Sequence, residues 1–293
     1  MAYRKTVYLL ITCFVVLVLI GQSSCEKFSD QSIPSYLSID TINFSTTYAE
    51  QGSASHNITD AWVYVDGEIA GTFELPARFP LLKTGTHKIT IIGGIKKDGI
   101  GSTRGEYPYY NIIERTVTLA QDDTTKLTGL STTYKAKTVF LWLEDFDDPS
   151  LTLDTTKRSS IRIKNTDPNS VNTFEGAHSG MAELPSDTDY FEAVTHKSYG
   201  ISTSSPTYLE LNYKTNNTLT IGVYLYSSTT LYDVPIMTVF PTNDKWKKIY
   251  VDLSNSITAY SGMSTFRLYF AASKDAGVDK GVILLDNCKL LSK

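Results

Sequence analysis

The chain has 293 residues and a formal net charge of -4, from 27 basic and 31 acidic side chains. No lysine and arginine run gathers into a patch, which argues against nucleic acid as a partner. With only three cysteines, no disulfide framework can supply the fold, so a hydrophobic core must.

Arg4 and Lys5 precede residues 7–20, which are apolar apart from Thr12. At about 14 residues, this run falls short of the roughly 20 that a membrane-spanning helix needs, and it reads as a cleaved export signal. Ser23 and Ser24 then lead to Cys25. A basic start, a short apolar core and small residues before a Cys resemble the signal of bacterial lipoproteins. The resemblance implies that residues 1–24 are removed and that Cys25 becomes the lipidated first residue. It also implies a protein anchored by lipid to the outer membrane, on the cell surface or the periplasmic face. Gln22 stands where that family carries an aliphatic residue, which leaves ordinary cleavage near Ser24 as the alternative. Cys13 lies inside the signal. Cys288, in the apolar run 282–291, is expected to be a buried core thiol, with a Cys25 to Cys288 bridge the alternative if Cys25 is not lipidated.

Residues 25–36 are polar and close on Pro34, as a flexible tether would. Beyond them, apolar and polar residues alternate with period two, and no stretch of helical length carries an apolar stripe. The expectation is an all-β protein of two β-sandwich domains, residues 37–135 and 136–293.

In the first, Trp62-Val63-Tyr64-Val65 runs into Asp66-Gly67, a strong hairpin dipeptide, and Glu68-Ile69-Ala70-Gly71-Thr72 follows. Leu82-Lys83-Thr84-Gly85-Thr86-His87 then leads into the alternating Lys88-Ile89-Thr90-Ile91. These residues resemble the PEGA family and related Ig-like modules, which implies a structural or binding role. The match departs at residues 93–108, which read as an irregular Gly-rich insertion. Residues 122–133 read as a Thr-rich connector.

The second domain opens with Val139-Phe140-Leu141-Trp142-Leu143 and the acidic Glu144-Asp145-Phe146-Asp147-Asp148. It continues through Glu175-Gly176-Ala177-His178-Ser179-Gly180 and the Trp246-led strand to Val251, and ends in Leu284-Leu285-Asp286-Asn287. That order resembles the galactose-binding-like jelly roll of many carbohydrate-binding modules. The resemblance implies glycan as ligand, and a structural calcium ion held by Glu144 or Asp145, Glu175 and Asp286; the alternative is that these are solvated turn carboxylates.

Alternation sets the remaining candidates. Tyr208, Glu210 and Asn212 share one strand face, Tyr224 and Tyr226 point outward from a second strand, and Arg267 and Tyr269 from a third. If these strands are neighbours, they form a platform on which aromatic rings stack against sugar faces and polar groups bond hydroxyls. His56, His87, His178 and His196 lack metal-ligand spacing, and there is no Gly-x-Ser-x-Gly, no P-loop and no recognisable carboxylate pair, so no enzyme is expected. The competing expectation is an accessory subunit of an outer-membrane protein complex, because exposed tyrosine is equally typical of protein interfaces.

Overall fold

A computed structural model describes residues 33–293; the signal and Cys25 lie outside them. The described chain is all-β, with two short helices, α1 (Tyr48–Gln51) and α2 (Ser254–Thr258). No helix among the described residues is long and apolar enough to cross a membrane.

Ten strands build the first unit: β1 (Ser35–Ile39), β2 (Asn43–Phe44), β3 (Asp60–Val65), β4 (Glu68–Glu74), β5 (Ala77–Leu81), β6 (Gly85–Lys96), β7 (Arg104–Glu106), β8 (Ile113–Leu119), β9 (Thr124–Leu127) and β10 (Ser131–Thr132). A sheet ordered β4-β3-β6-β7, with β8 also on β6, faces a second ordered β5-β1-β9. Leu37, Ile39, Val63, Val65, Ile89 and Ile91 alternate inward to fill the space between them. The Asp66-Gly67 turn joins β3 to β4 as expected, both residues at positive φ. Three expectations need correction. The tether stops short of residue 36, because β1 begins at Ser35 and pairs with both β5 and β9. The Thr-rich segment is no linker: it contributes β9, parallel to β1, and β10, parallel to β2. Residues 93–108 are not irregular, since β6 runs through to Lys96 and turns back as β7.

Twelve strands form the second unit: β11 (Val139–Glu144), β12 (Leu153–Thr155), β13 (Lys164–Asn165), β14 (Gly180–Leu184), β15 (Tyr190–Thr195), β16 (Tyr199–Gly200), β17 (Tyr208–Thr215), β18 (Leu219–Tyr226), β19 (Leu231–Val239), β20 (Lys247–Asp252), β21 (Thr265–Ser273) and β22 (Gly281–Ser292). They make a sandwich. A junction sheet runs β13-β14-β22-β17-β20 with β11 on β22, and an open sheet runs β12-β15-β21-β18-β19 with β16 on β21. Between them Leu209, Leu211, Ile221, Val223, Phe266, Leu268, Phe270, Ile283 and Leu285 form the larger core. Cys288 is buried in it, and burial raises its thiol well above the usual range.

The outer face of the junction sheet is not free. Tyr107, Tyr109, Tyr110 and Tyr134 of the first unit pack on Tyr208 and Tyr250 of β17 and β20, all buried. Their hydroxyls find partners: Tyr107 and Tyr134 donate to Glu210 at 2.7 and 2.9 Å, and the Tyr110 and Tyr250 hydroxyls bond each other at 2.9 Å. Beside them, the loop after β6 covers the edge of β20. Asp98 N donates to Tyr250 O at 2.8 Å, and Asp252 N donates to Asp98 Oδ1 at 3.0 Å, so a strand edge that would invite aggregation is occupied.

Candidate functional site

With one sheet taken by the first unit, the outer face of the open sheet is the candidate site. The register β15-β21-β18-β19 sets Val194 beside Tyr269, Tyr269 beside Gly222, and Gly222 beside Pro235. One step along, Tyr224 lies between Arg267 and Asp233. Tyr269 reaches across β18 and donates its hydroxyl to Asp233 Oδ1 at 2.8 Å. Gly222 makes this possible, since a Cβ there would overlap the Tyr269 ring. Tyr224 packs on Tyr269 with ring centroids 4.8 Å apart at 34°.

Arg158, on the loop after β12, lies over this floor. Its guanidinium donates to Glu192, to the Tyr224 hydroxyl and to Asp233. The Arg158 carbon Cζ stands 5.9 Å from the Tyr190 ring centre and 5.7 Å from that of Tyr224, within cation–π range. Tyr190 donates to Glu192 Oε2 at 2.8 Å. Burial works to raise the Glu192 carboxyl, but bonds from Arg158 and the tyrosines outweigh it and hold the acid below the usual carboxylate range. Burial, with Glu192 beside it, pushes the Tyr190 phenol up to about 12. A second cluster continues the face: Arg267 donates to Asp154 Oδ2 at 2.7 Å, and His196 Nδ1 lies 2.9 Å from Asp154 Oδ1.

No protein-family model matches the chain, and no curated protein matches it. Among solved structures, one described as the structural basis for promiscuous specificity of carbohydrate-binding modules from the β-sandwich superfamily is 14% identical. It covers 79% of this chain and 84% of that one, at TM-score 0.38. The family 11 carbohydrate-binding module of Clostridium thermocellum, in complex with a β-1,3-1,4-mixed-linked tetrasaccharide, is 14% identical and covers 50% and 93%, at 0.36. The C-terminal family 22 module of Clostridium thermocellum Xyn10B is 11% identical and covers 52% and 92%, at 0.36. At such identities and TM-scores the likeness says nothing of what this chain binds.

Tyr224, Tyr226, Arg267 and Tyr269 lie on neighbouring strands of the open sheet, but not as exposed rings: Tyr224 and Tyr269 are only 9% and 3% exposed. Tyr208, Glu210 and Asn212 belong to the other sheet. Strand β17 pairs with β20 and β22 rather than β18, so its outward face meets the first unit and all three residues are buried. Arg158, Tyr190, Glu192, Asp154 and Asp233 were not singled out. The alternation Tyr190-Phe191-Glu192 carried a signal for two of them; Arg158, on a loop, had none.

The expected calcium ligands are each engaged by protein donors. Glu144 is buried and accepts from Phe146 N at 3.0 Å and Thr152 N at 2.7 Å. Asp145 accepts the Tyr48 hydroxyl at 3.1 Å. Glu175 accepts from Ser53 and from Asn287 Nδ2 at 2.9 Å. Asp286 takes the Ser179 hydroxyl and, at 2.7 Å, Asn287 N; burial raises its carboxyl to about 7. Protein donors thus fill the role assigned to the ion, and no three His, Cys, Asp or Glu side chains among the described residues are grouped to hold a metal. The residues do not fit a calcium cage.

Proposed function

We propose that the protein is a non-catalytic glycan-binding protein, held to a bacterial membrane by lipid on Cys25, and that the glycan lies across the open sheet. The observation that carries this reading is Arg158, a guanidinium shared between Glu192 and Asp233 above a floor of tyrosines. Sugar hydroxyls both donate and accept, so fixed guanidinium donors beside carboxylate acceptors suit vicinal pairs of them. Arg158 and Arg267 face Glu192, Asp233 and Asp154. The face therefore carries no excess of positive charge, which favours a neutral glycan. Glycosidase chemistry is disfavoured, because it needs one carboxylic acid with a raised pKa, and Glu192 is held the other way.

The test is retention of the purified protein on neutral polysaccharides. Arg158→Ala removes a charged hydrogen-bond donor and is expected to weaken binding about tenfold or more; Tyr190→Ala should also weaken it. Failure of the parent to bind any neutral glycan, or retention of both variants equal to the parent's, overturns the reading.

The anchor rests on the signal. Cys25→Ala is expected to leave export intact while moving the protein from the membrane pellet to the soluble fraction, because one side chain carries all the acyl chains. Unchanged pelleting removes the lipid from the proposal.

A further inference from the structure

A second site lies away from the open sheet, where the two units meet. A cavity of about 500 Å³ opens between them, lined by His56 and Lys96 of the first unit and Asn212, Trp246, Lys247 and Lys248 of the second. Its volume falls within the roughly 300–1,000 Å³ of small-molecule sites. In a chain of net charge -4, this lining holds three lysines and no carboxylate; Lys96 pairs with Glu74 at 3.5 Å and Lys248 with Glu210 behind the lining, which leaves Lys247 as its unpaired lysine among the described residues.

Three polar atoms here lack hydrogen-bond partners although they are sealed from solvent: Asn212 Oδ1, Trp246 Nε1 and Lys248 Nζ. Buried polar atoms are satisfied in the large majority of cases, and each exception calls for a missing partner. Asn212 is 2% exposed. Lys248 sits 3.1 Å from Glu210 in an ion pair, but an ammonium has three donors, so this partner leaves capacity unused. Lys247, exposed at the mouth, has no ion-pair partner among the described residues. His56 Nδ1 lies 3.0 Å from the Ala54 carbonyl, which can only accept. The proton is therefore on Nδ1, and Nε2 remains the ring's other polar atom. One wall is apolar, with the Phe174 and Trp246 ring centres 5.3 Å apart at 54°.

We infer that this cavity binds a sugar acid, with a carboxylate taken by Lys247, hydroxyls by Asn212 and the Trp246 N–H, and the ring's C–H face against Phe174 and Trp246. The unpaired Lys247 and the free Trp246 N–H call for an anion, while the aromatic wall calls for a ring behind it. The site is independent of the open sheet, which lacks this positive excess.

The test is calorimetric titration of the full-length protein in mild detergent with galacturonate and glucuronate, beside galactose and acetate. At least one uronate is expected to bind more tightly than galactose and acetate, and to weaken with added salt. Lys247→Glu, at an exposed position that leaves the fold intact, should weaken it about tenfold or more. Asn212→Leu should weaken it too, while Arg158→Ala leaves it unchanged. The inference falls if neither uronate binds at millimolar concentration, if galactose or acetate binds as well, or if Lys247→Glu binds like the parent. Loss of uronate binding in Arg158→Ala alone would place the acid on the open sheet and overturn the cavity.

Discussion

Glu210→Ala is expected to lower the stability of the protein by about 3–5 kcal/mol, the cost of leaving buried charges without their partner. Glu210 is wholly buried between the units. Its carboxylate meets Lys248 at 3.1 Å and accepts from Tyr107 and Tyr134. Burial alone would raise its pKa, but Lys248, Lys289 and the two phenols outweigh burial and hold it below the usual range. Lys289, one strand over and in register with it, donates to Ser53 O at 2.5 Å. Removing Glu210 leaves Lys248 and Lys289 buried near each other without their shared counter-ion. In thermal unfolding the midpoint should fall on the order of 10 °C. A loss below 1 kcal/mol would mean that the cluster is hydrated and that the units do not close over it.

The same cluster gives that loss a pH dependence. Burial pushes Lys289 down to about 7, against the opposing pull of Glu210. Below that pH both the folded and unfolded chains carry the proton, and the fold bears the full cost of burying it. Between about 7 and the roughly 10.4 of a free lysine, the unfolded chain binds the extra proton, so the Lys289 contribution makes stability rise with pH across that window. Without Glu210, the charged form of Lys289 loses its main support. The damage from Glu210→Ala should therefore be larger near about pH 6 than near about pH 9. Equal losses at both would remove Lys289 from the account.

How far the sequence reached is visible in β17. Period two correctly separated Leu209 and Leu211 from Tyr208, Glu210 and Asn212, because alternation is a local property of the strand. It could not say which sheet the strand joins, since that depends on pairing with β22 some 70 residues away in sequence, a non-local choice. Nor did it mark the outer face as covered. A strand buried on both faces should have lost its polar residues, but β17 keeps Glu210 because Lys248, Tyr107 and Tyr134 arrive from elsewhere to meet it, and it keeps Asn212 with its Oδ1 unpartnered. Of the residues that bury this face, Tyr107 lies inside the 93–108 stretch expected to be an irregular insertion, while Tyr109, Tyr110 and Tyr134 lie beyond it in segments that carry no period. On the open sheet, Tyr224, Arg267 and Tyr269 were legible from their own strands. Arg158, which covers them, was not, because a loop residue's position over a sheet is set by tertiary packing alone.

Gly222→Ala is expected to disable the open sheet indirectly, through the Tyr269 ring and the Asp233 carboxylate which that ring bonds. Gly222 has ordinary strand backbone, with φ outside the left-handed region, so an alanine there is not strained by conformation. What opposes it is the Tyr269 ring, which occupies the space of the new methyl on its way to Asp233. The ring must leave, taking with it the bond to Asp233 and the packing on Tyr224, and overpacking of this kind costs about 1–3 kcal/mol. Asp233 would then lose one of its two donors, and the carboxylate opposite Arg158 would shift. Glycan retention should fall about as far as in Arg158→Ala. The cause can be isolated by placing Gly222→Ala in a Tyr269→Ala background, where the methyl has room. If the clash is the mechanism, the glycine substitution there should cost no more than a few tenths of a kcal/mol in stability, giving a coupling of about 1 kcal/mol or more between the two positions. Additive losses would show that Gly222 serves the bulge beside Ile221 on the β19 side, and not the seating of Tyr269.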